Sequence, residues 1–237
     1  MHLSAPLYRL KREARLLSRQ QTIPLHAALD RIAAREGFRN WSLLARQAAA
    51  VSPAARLFAR LSPGDLLLVG ARPGEGKTLL ALELGLEAMK AGGRCVLFTL
   101  EYVERDVAAR FDALGADVGG FGGRFQLDAS DDICAAHIIG RLAAMPSGTL
   151  AVIDYLQILD QRRETPDLET QMRELSAFAR RSGAILVFVS QIDRSYDPAR
   201  KPLPDLADIR LPNPLDLHVF SKTCFLNAGE VRFAEAG

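Results

Sequence analysis

The sequence has few cysteines and histidines and no long apolar stretch, and these shortages exclude several classes of protein. Its 237 residues contain three cysteines and four histidines, all scattered without paired spacing. That distribution disfavours a disulfide framework or a zinc site and favours a reducing compartment. No apolar run approaches the ~20 residues that span a bilayer, and the basic residues 1–21 lack the apolar core of a secretory signal. We therefore expect a cytoplasmic location and no membrane segment.

An excess of charge of one sign is also missing. The net charge is +2, with 24% charged and 49% hydrophobic residues, which is an ordinary composition for a globular chain with a substantial core. So small a net charge does not by itself indicate nucleic-acid binding, although it leaves room for local basic patches.

The chain divides by its patterning into three parts. Residues 1–50 predict a small helical segment, because Leu7, Leu10, Ala14 and Leu17 recur at helical spacing. Arginines surround that stripe, and they form either a solvated face or a surface for nucleic acid. The partner of these helices, if it is a protein, is unknown. Residues 51–60 resemble a linker broken at Ser52 and Pro53, and residues 61–237 form the third part.

Residues 61–237 predict an α/β domain with a mostly parallel sheet flanked by helices, because short apolar runs alternate with helical patterns. The predicted strands are 66–69, 95–100, 150–153, 185–189, 217–220, 223–226 and 230–233. The predicted helices are 78–91, 103–114, 131–145 and 167–181. Residues 227–229 predict the hairpin turn between the last two strands.

A glycine-rich phosphate loop follows the first of these strands and precedes a helix, which is the context that such a motif requires. Its residues are Ala71, Arg72, Pro73, Gly74, Glu75, Gly76, Lys77 and Thr78. The two glycines let backbone N–H groups turn toward phosphates, and the helix N-terminus adds its positive dipole end. Lys77 is expected to reach the β- and γ-phosphates and Thr78 to bind Mg²⁺. The loop therefore predicts binding of a nucleoside triphosphate, ATP with Mg²⁺.

Three further polar residues follow apolar strands. Asp154 ends the strand 150–153 and is expected to hold Mg²⁺, the alternative being a turn residue. Glu101 follows the strand 95–100 and is either a base for the attacking water or a surface glutamate. Gln191, after the strand 185–189, is a weaker candidate for sensing the γ-phosphate.

These elements, in this order, resemble the RecA-like motor domain of DnaB-type replicative helicases. The resemblance extends over about residues 61–233. The phosphate loop is shared by many nucleotide-binding families, but two motifs are specific to this one: Asp154-Tyr155-Leu156-Gln157 and Ser190-Gln191-Ile192-Asp193-Arg194-Ser195. By this resemblance Glu101 corresponds to the catalytic glutamate, Asp154 to the Mg²⁺-associated aspartate and Gln191 to the γ-phosphate sensor. The first of the two motifs disfavours a recombination or clock-type ATPase of the same fold.

The resemblance also implies partners. Proteins of the family act as hexameric rings that bind ATP between subunits and pass single-stranded DNA through the centre. The corresponding DNA-contacting loops here are 160–167 and 194–210, and the alternative is that they are merely solvated. Their proposed contact residues are Arg162, Arg163, Arg194, Arg200 and Lys201, and Arg210 is also cationic.

The sequence departs from the family in several places. The segment before Ala50 does not resemble the family's large N-terminal domain, and the approach to the first strand is short. Alignment of the last hairpin puts Lys222 at the family's inter-subunit sensor lysine and Cys224 at its arginine finger. Arg232 lies nearby, but nothing in the sequence assigns it that role. We therefore expect an ATP-hydrolysing, helicase-type motor that acts on single-stranded DNA. The sequence does not decide whether it unwinds DNA. The alternative is an ATP-binding regulatory or adaptor module derived from such a motor.

Overall fold

Parallel strands form the centre of the molecule. A computed structural model describes residues 3–5, 7–50, 52–161, 164–211 and 213–235. Within these residues seven strands form one sheet in the order β3-β2-β4-β5-β1-β6-β7. All neighbours pair in parallel except β6 and β7, which form an antiparallel hairpin. The strands are β1 (Leu66–Ala71), β2 (Cys95–Thr99), β3 (Phe125–Asp128), β4 (Leu150–Asp154), β5 (Ile185–Gln191), β6 (Lys222–Asn227) and β7 (Glu230–Glu235).

Helices cover both faces of this sheet, which confirms the predicted α/β class. Successive side chains of a strand point to opposite faces, so Leu66 and Leu68 pack into one apolar cluster and Leu67 and Val69 into the other. The described helices are α1 (Leu7–Gln21), α2 (Leu25–Arg35), α3 (Trp41–Ala50), α4 (Pro53–Phe58), α5 (Lys77–Lys90), α6 (Glu104–Ala113), α7 (Ala135–Leu142) and α8 (Leu168–Ser182). The first cluster includes residues of α7 and α8, and the second includes residues of α4, α5 and α6.

The first three helices form a unit with its own small core. Leu10, Ala14, Ile32 and Leu44 are buried there against one another, in a cluster separate from the two that flank the sheet. Lys11 joins this unit to the α/β part, because its Nζ donates hydrogen bonds to the carbonyls of Asp112 and Ala113 (3.1 and 3.2 Å) at the end of α6. None of the described helices has the length and apolar composition needed to cross a membrane.

The structure differs from the sequence-based expectations in a few elements. β3 was not expected, because it has only four residues and only one of them, Asp128, is buried. Residues 217–220 do not form a strand: Leu217–Val219 is a 3₁₀ turn that Asp216 caps, while Phe220 packs its ring against Phe188 with centroids 5.5 Å apart. The segment expected as a linker contains α4, which buries Ala54 and Leu57.

Candidate nucleotide site

The phosphate loop joins β1 to α5 at the carboxyl end of the sheet. Gly74 and Gly76 have φ of 84° and 91°, a left-handed conformation that glycine adopts without strain. Gly76 directly precedes α5 and its carbonyl accepts the first helical hydrogen bond, from Leu80 N–H at 2.9 Å. The free N–H groups of the first turn therefore point into the loop, which is the arrangement that binds anions at helix N-termini.

The loop is held in place by the turn of the neighbouring β6–β7 hairpin. The Glu75 carboxylate accepts a hydrogen bond from the backbone N–H of Ala228 at 2.8 Å. Ala228 lies in the β6–β7 turn, where it and Gly229 have φ of 49° and 85°, as the hairpin turn predicted at residues 227–229 requires. Because the turn and the loop are joined, movement of the hairpin would be transmitted to the residues that surround the phosphates.

Asp154 is the buried acid of the site. It ends β4 and is 1% exposed, and its Oδ2 has no hydrogen-bond partner within the described residues. Burial raises the pKa of Asp154 to about 6. The nearby Thr78 hydroxyl and the charges of Lys77 and Arg110 act in the opposite direction, while the carboxylate of Glu101 adds to the increase. These mutual effects place the loop, Asp154 and Glu101 in one electrostatic cluster.

Glu101 lies beside Asp154 because β2 and β4 are neighbours. Thr99 pairs with Asp154 in the sheet register, and the Thr99 hydroxyl accepts a hydrogen bond from the Glu101 N–H at 3.1 Å. The Glu101 side chain itself is exposed at the sheet edge. It is therefore accessible to water next to the loop, as a base for an attacking water must be.

Tyr102 and Arg110 also belong to the cluster, although the sequence did not single them out. The guanidinium of Arg110 stacks on the Tyr102 ring at 4.2 Å from its centroid, and its buried Nε has no hydrogen-bond partner within the described residues. Burial raises the pKa of Tyr102, while Arg110 and the neighbouring Thr78 hydroxyl oppose that shift. The only signal in the sequence was the adjacency of Tyr102 to Glu101.

Gln191 ends β5 at the same edge, paired in register with Ala71 of the loop strand. Its backbone carbonyl accepts the N–H of Arg210 at 2.9 Å. Gln157 reinforces this link, because its Nε2 donates to the Arg210 carbonyl (2.6 Å) and to the Ser190 hydroxyl (3.3 Å). The end of β5 is thus fastened directly to the last residue of the 194–210 loop.

The residues expected to contact DNA are arranged unequally. Arg194 and Arg200 are exposed, and Arg200 Nε lies 3.8 Å from a carboxylate oxygen of Asp197. Lys201 is held more closely, because it contacts two carboxylates, those of Asp205 and Asp208, each at 2.6 Å. Burial would lower the pKa of Lys201, but its hydrogen bonds to these carboxylates raise it overall. Arg162 and Arg163 lie outside the described residues.

Lys222 and Cys224 lie away from the cluster. Lys222 begins β6 at the amino end of the sheet, where its Nζ is 3.6 Å from Asp65 and 3.9 Å from Glu235. Cys224 is 0% exposed beside Val69, and burial raises the pKa of its thiol to about 12. Arg232, on the outer strand β7, is exposed.

The loop, the acids at two neighbouring strand ends and the strand order define a phosphate-loop α/β fold of the RecA type. Comparison with solved structures agrees. One solved ATPase domain superposes with a TM-score of 0.59 at 14% identity, over 81% of this chain and 92% of that one. A DnaB-like replicative helicase, solved for its interactions with primase, superposes with a TM-score of 0.60 at 16% identity, over 97% of this chain and 71% of that one.

The sequence comparisons are weaker but consistent with this fold. Protein RecA from Anaplasma marginale is 29% identical over 145 residues, which span 56% of this chain and 39% of the RecA chain. No model of a known protein family matches the sequence. The resemblance to the RecA-like domain of DnaB-type helicases is thus confirmed at the level of the fold.

Proposed function

We propose that this chain binds ATP with Mg²⁺ and hydrolyses it, and that it is a DnaB-like, helicase-type motor domain acting on single-stranded DNA. The observation that supports hydrolysis is the position of Glu101, which is accessible to water and follows β2, the strand beside that of Asp154. A module that only binds nucleotide has less need of a second carboxylate, because two neighbouring acids repel each other.

The residues present fit a magnesium ion. Asp154 is a buried carboxylate with an unpartnered oxygen among the described residues, and the Thr78 hydroxyl is near enough to affect its pKa. Buried carboxylates without a partner are costly, and hydroxyl and carboxylate oxygens are ligands that Mg²⁺ accepts. Thr78 and Asp154 would therefore hold the ion, which neutralises phosphate charge when bound.

The remaining residues have distinct roles in this proposal. Lys77 contacts the β- and γ-phosphates, and the Glu101 carboxylate orients the attacking water and accepts its proton. Gln191 contacts the γ-phosphate. Because the carbonyl of Gln191 binds Arg210 N–H, release of the phosphate would shift the 194–210 loop.

Contact with single-stranded DNA rests on that loop. Arg194 and Arg200 are exposed and suit backbone phosphates without sequence readout. Lys201 contributes less, because two carboxylates already bind it. Assembly into a ring, a hexamer by analogy with DnaB-type helicases, would bring several such loops together. A cytoplasmic location is consistent with this role.

The proposal is tested by ATP turnover with and without single-stranded DNA, in the wild type and in Glu101→Gln. We expect DNA-stimulated turnover that the Glu101→Gln variant loses while it retains ATP affinity. Arg194→Ala with Arg200→Ala is expected to lose stimulation but keep basal turnover. Tight ATP binding without turnover in the wild type would contradict the motor. Light scattering with and without nucleotide measures the molar mass and so tests whether the chain assembles into a ring.

The second candidate is an ATP-binding adaptor that changes conformation with nucleotide, binds a partner through its N-terminal helices and unwinds nothing. The observations that favour it are the burial of Cys224 and the intramolecular ion pairs of Lys222. Cys224 is 0% exposed and the Lys222 side chain only 13%, so neither is placed on the surface as a residue that acts on a neighbouring subunit must be. A strand-displacement assay separates the two candidates, since only the motor releases the displaced strand.

A further inference from the structure

Positive charge is concentrated in the first 50 residues. They contain nine arginines and lysines against three acids, a net charge of +6, whereas the rest of the chain has a net charge of −4. The overall charge of +2 conceals this division. A basic unit joined to an acidic one indicates that the two parts meet different partners.

Helix α1 presents four of these charges on one face. Arg9, Arg12, Arg15 and Arg19 are all exposed, and at about 100° per residue they fall within an arc of about 120°. The apolar residues Leu10, Ala14 and Leu17 lie on the opposite side, in the core of the helical unit. At about 1.5 Å per residue the arginine row is about 15 Å long.

The acids of the helical unit do not neutralise this row. Glu13 binds Arg35 at 2.6 Å, and Asp30 accepts the N–H of Trp41 at 2.8 Å. Glu36 accepts hydrogen bonds from Ser4 and lies 3.6 Å from Arg35. Within the part of the chain that the structure describes, none of the four arginines of α1 has an ion pair.

The row is also fixed relative to the ATPase core. Lys11, on the side of α1 that faces α6, donates to the last carbonyls of that helix. Burial and the nearby charge of Arg15 lower the pKa of Lys11, against the effect of Asp112. Four arginines held on a docked helix lose less conformational freedom on binding than a basic tail would.

We propose that the arginine row of α1 binds the phosphate backbone of duplex DNA. A duplex carries one charge per about 1.7 Å of axis, which favours a straight row of cations over about 15 Å. A membrane surface fits less well, because an interfacial helix inserts its apolar face and that face of α1 is buried in the unit's own core. This site is separate from the loop proposed to contact single strands, and it does not depend on ATP hydrolysis.

The test measures binding of the full-length protein to a fluorescent 20-bp duplex from low to moderate salt, without nucleotide. In the variant Arg9→Ala/Arg12→Ala/Arg15→Ala/Arg19→Ala we expect affinity at low salt to fall at least about tenfold. The slope of log affinity against log salt is expected to decrease by about 3 to 4, since each phosphate contact contributes about 0.9. Circular dichroism verifies that the variant is folded.

A charge-matched control removes four exposed arginines from α6 and α8: Arg105, Arg173, Arg180 and Arg181. We expect its duplex affinity to stay within about threefold of the wild type. Equal weakening by both variants would show a net-charge effect only and overturn the site. So would unchanged binding by the α1 variant, or binding to phosphatidylserine vesicles but not to DNA. Loss of DNA-stimulated turnover in the Arg194/Arg200 variant tests the motor separately.

Discussion

The two sides of the sheet, one at the carboxyl ends of the strands and one at the amino end of β6, differ in how their weakly exposed polar groups are paired. At the carboxyl ends of β1, β2 and β4, Asp154 Oδ2 and Arg110 Nε are buried without a hydrogen-bond partner within the described residues. On the β6 side Lys222 is paired with Asp65, and Asp65 also accepts from Ser221 at 2.8 Å. Unsatisfied buried groups are costly. Such unsatisfied atoms occur on the side where a bound ligand would supply their missing partners. The polar groups named on the other side already have partners.

The largest expected effect separates the lysines of the two sides. Lys77→Ala should weaken ATP binding by about 3 kcal/mol, or roughly 100-fold, because a charge-assisted contact to phosphate is lost. Lys222→Ala should leave ATP affinity within about twofold, because its partners are Asp65 and Glu235. Titration with a fluorescent ATP analogue measures both. Wild-type affinity in Lys77→Ala would disprove the site.

The next effect concerns the position aligned with the arginine finger. Cys224→Arg should destabilise the fold by at least about 3 kcal/mol and not raise turnover, because it buries an unpaired charge in the sheet. Cys224→Val should cost less than about 1.5 kcal/mol. Urea unfolding of the two variants tests this difference. A stable Cys224→Arg protein with faster turnover would instead support the alignment.

Asp154→Asn should abolish turnover yet stabilise the fold. The folded-state pKa of about 6 lies above the usual value of 3.8, so the folded state loses stability as pH rises through 6. The substitution should therefore add about 3 kcal/mol at pH 8 and almost nothing near pH 4. Asp65→Asn is the control, and it should lower stability because it removes the partner of Lys222. Unfolding curves without nucleotide at both pH values decide this.

The smallest expected effect on turnover concerns a half-buried carboxylate outside the cluster. Burial raises the pKa of Glu83 on α5 to about 7 from 4.5, with Ser52 and Lys90 opposing and Glu87 adding to the shift. Its folded pKa is also raised, so Glu83→Gln should add about 3 kcal/mol at pH 8 and little near pH 4. Turnover at saturating ATP should be unchanged. A loss of turnover would place Glu83 in the functional cluster.

Local sequence patterns predicted much of the candidate site. The phosphate loop is continuous in the chain, so its strand, glycines and helix could be recognised together. Asp154 and Gln191 could be predicted because each follows an apolar strand, and parallel strands end at one edge. Tyr102 and Arg110 could not, because their contact with the cluster forms only when α6 packs beside β2. The wrong prediction of a strand at residues 217–220 has a similar cause. Phe220 packs its apolar ring against Phe188 and does not belong to a strand.

By itself the sequence determined the α/β class, the phosphate loop and the acids at the strand ends, because each depends on residues adjacent in the chain. Only the tertiary structure decided which charges are free. It paired Lys201 and Lys222 with carboxylates and left the four arginines of α1 exposed on one face. The reason is physical: the availability of a charge depends on neighbours that are distant in sequence and become adjacent only when helices and strands pack.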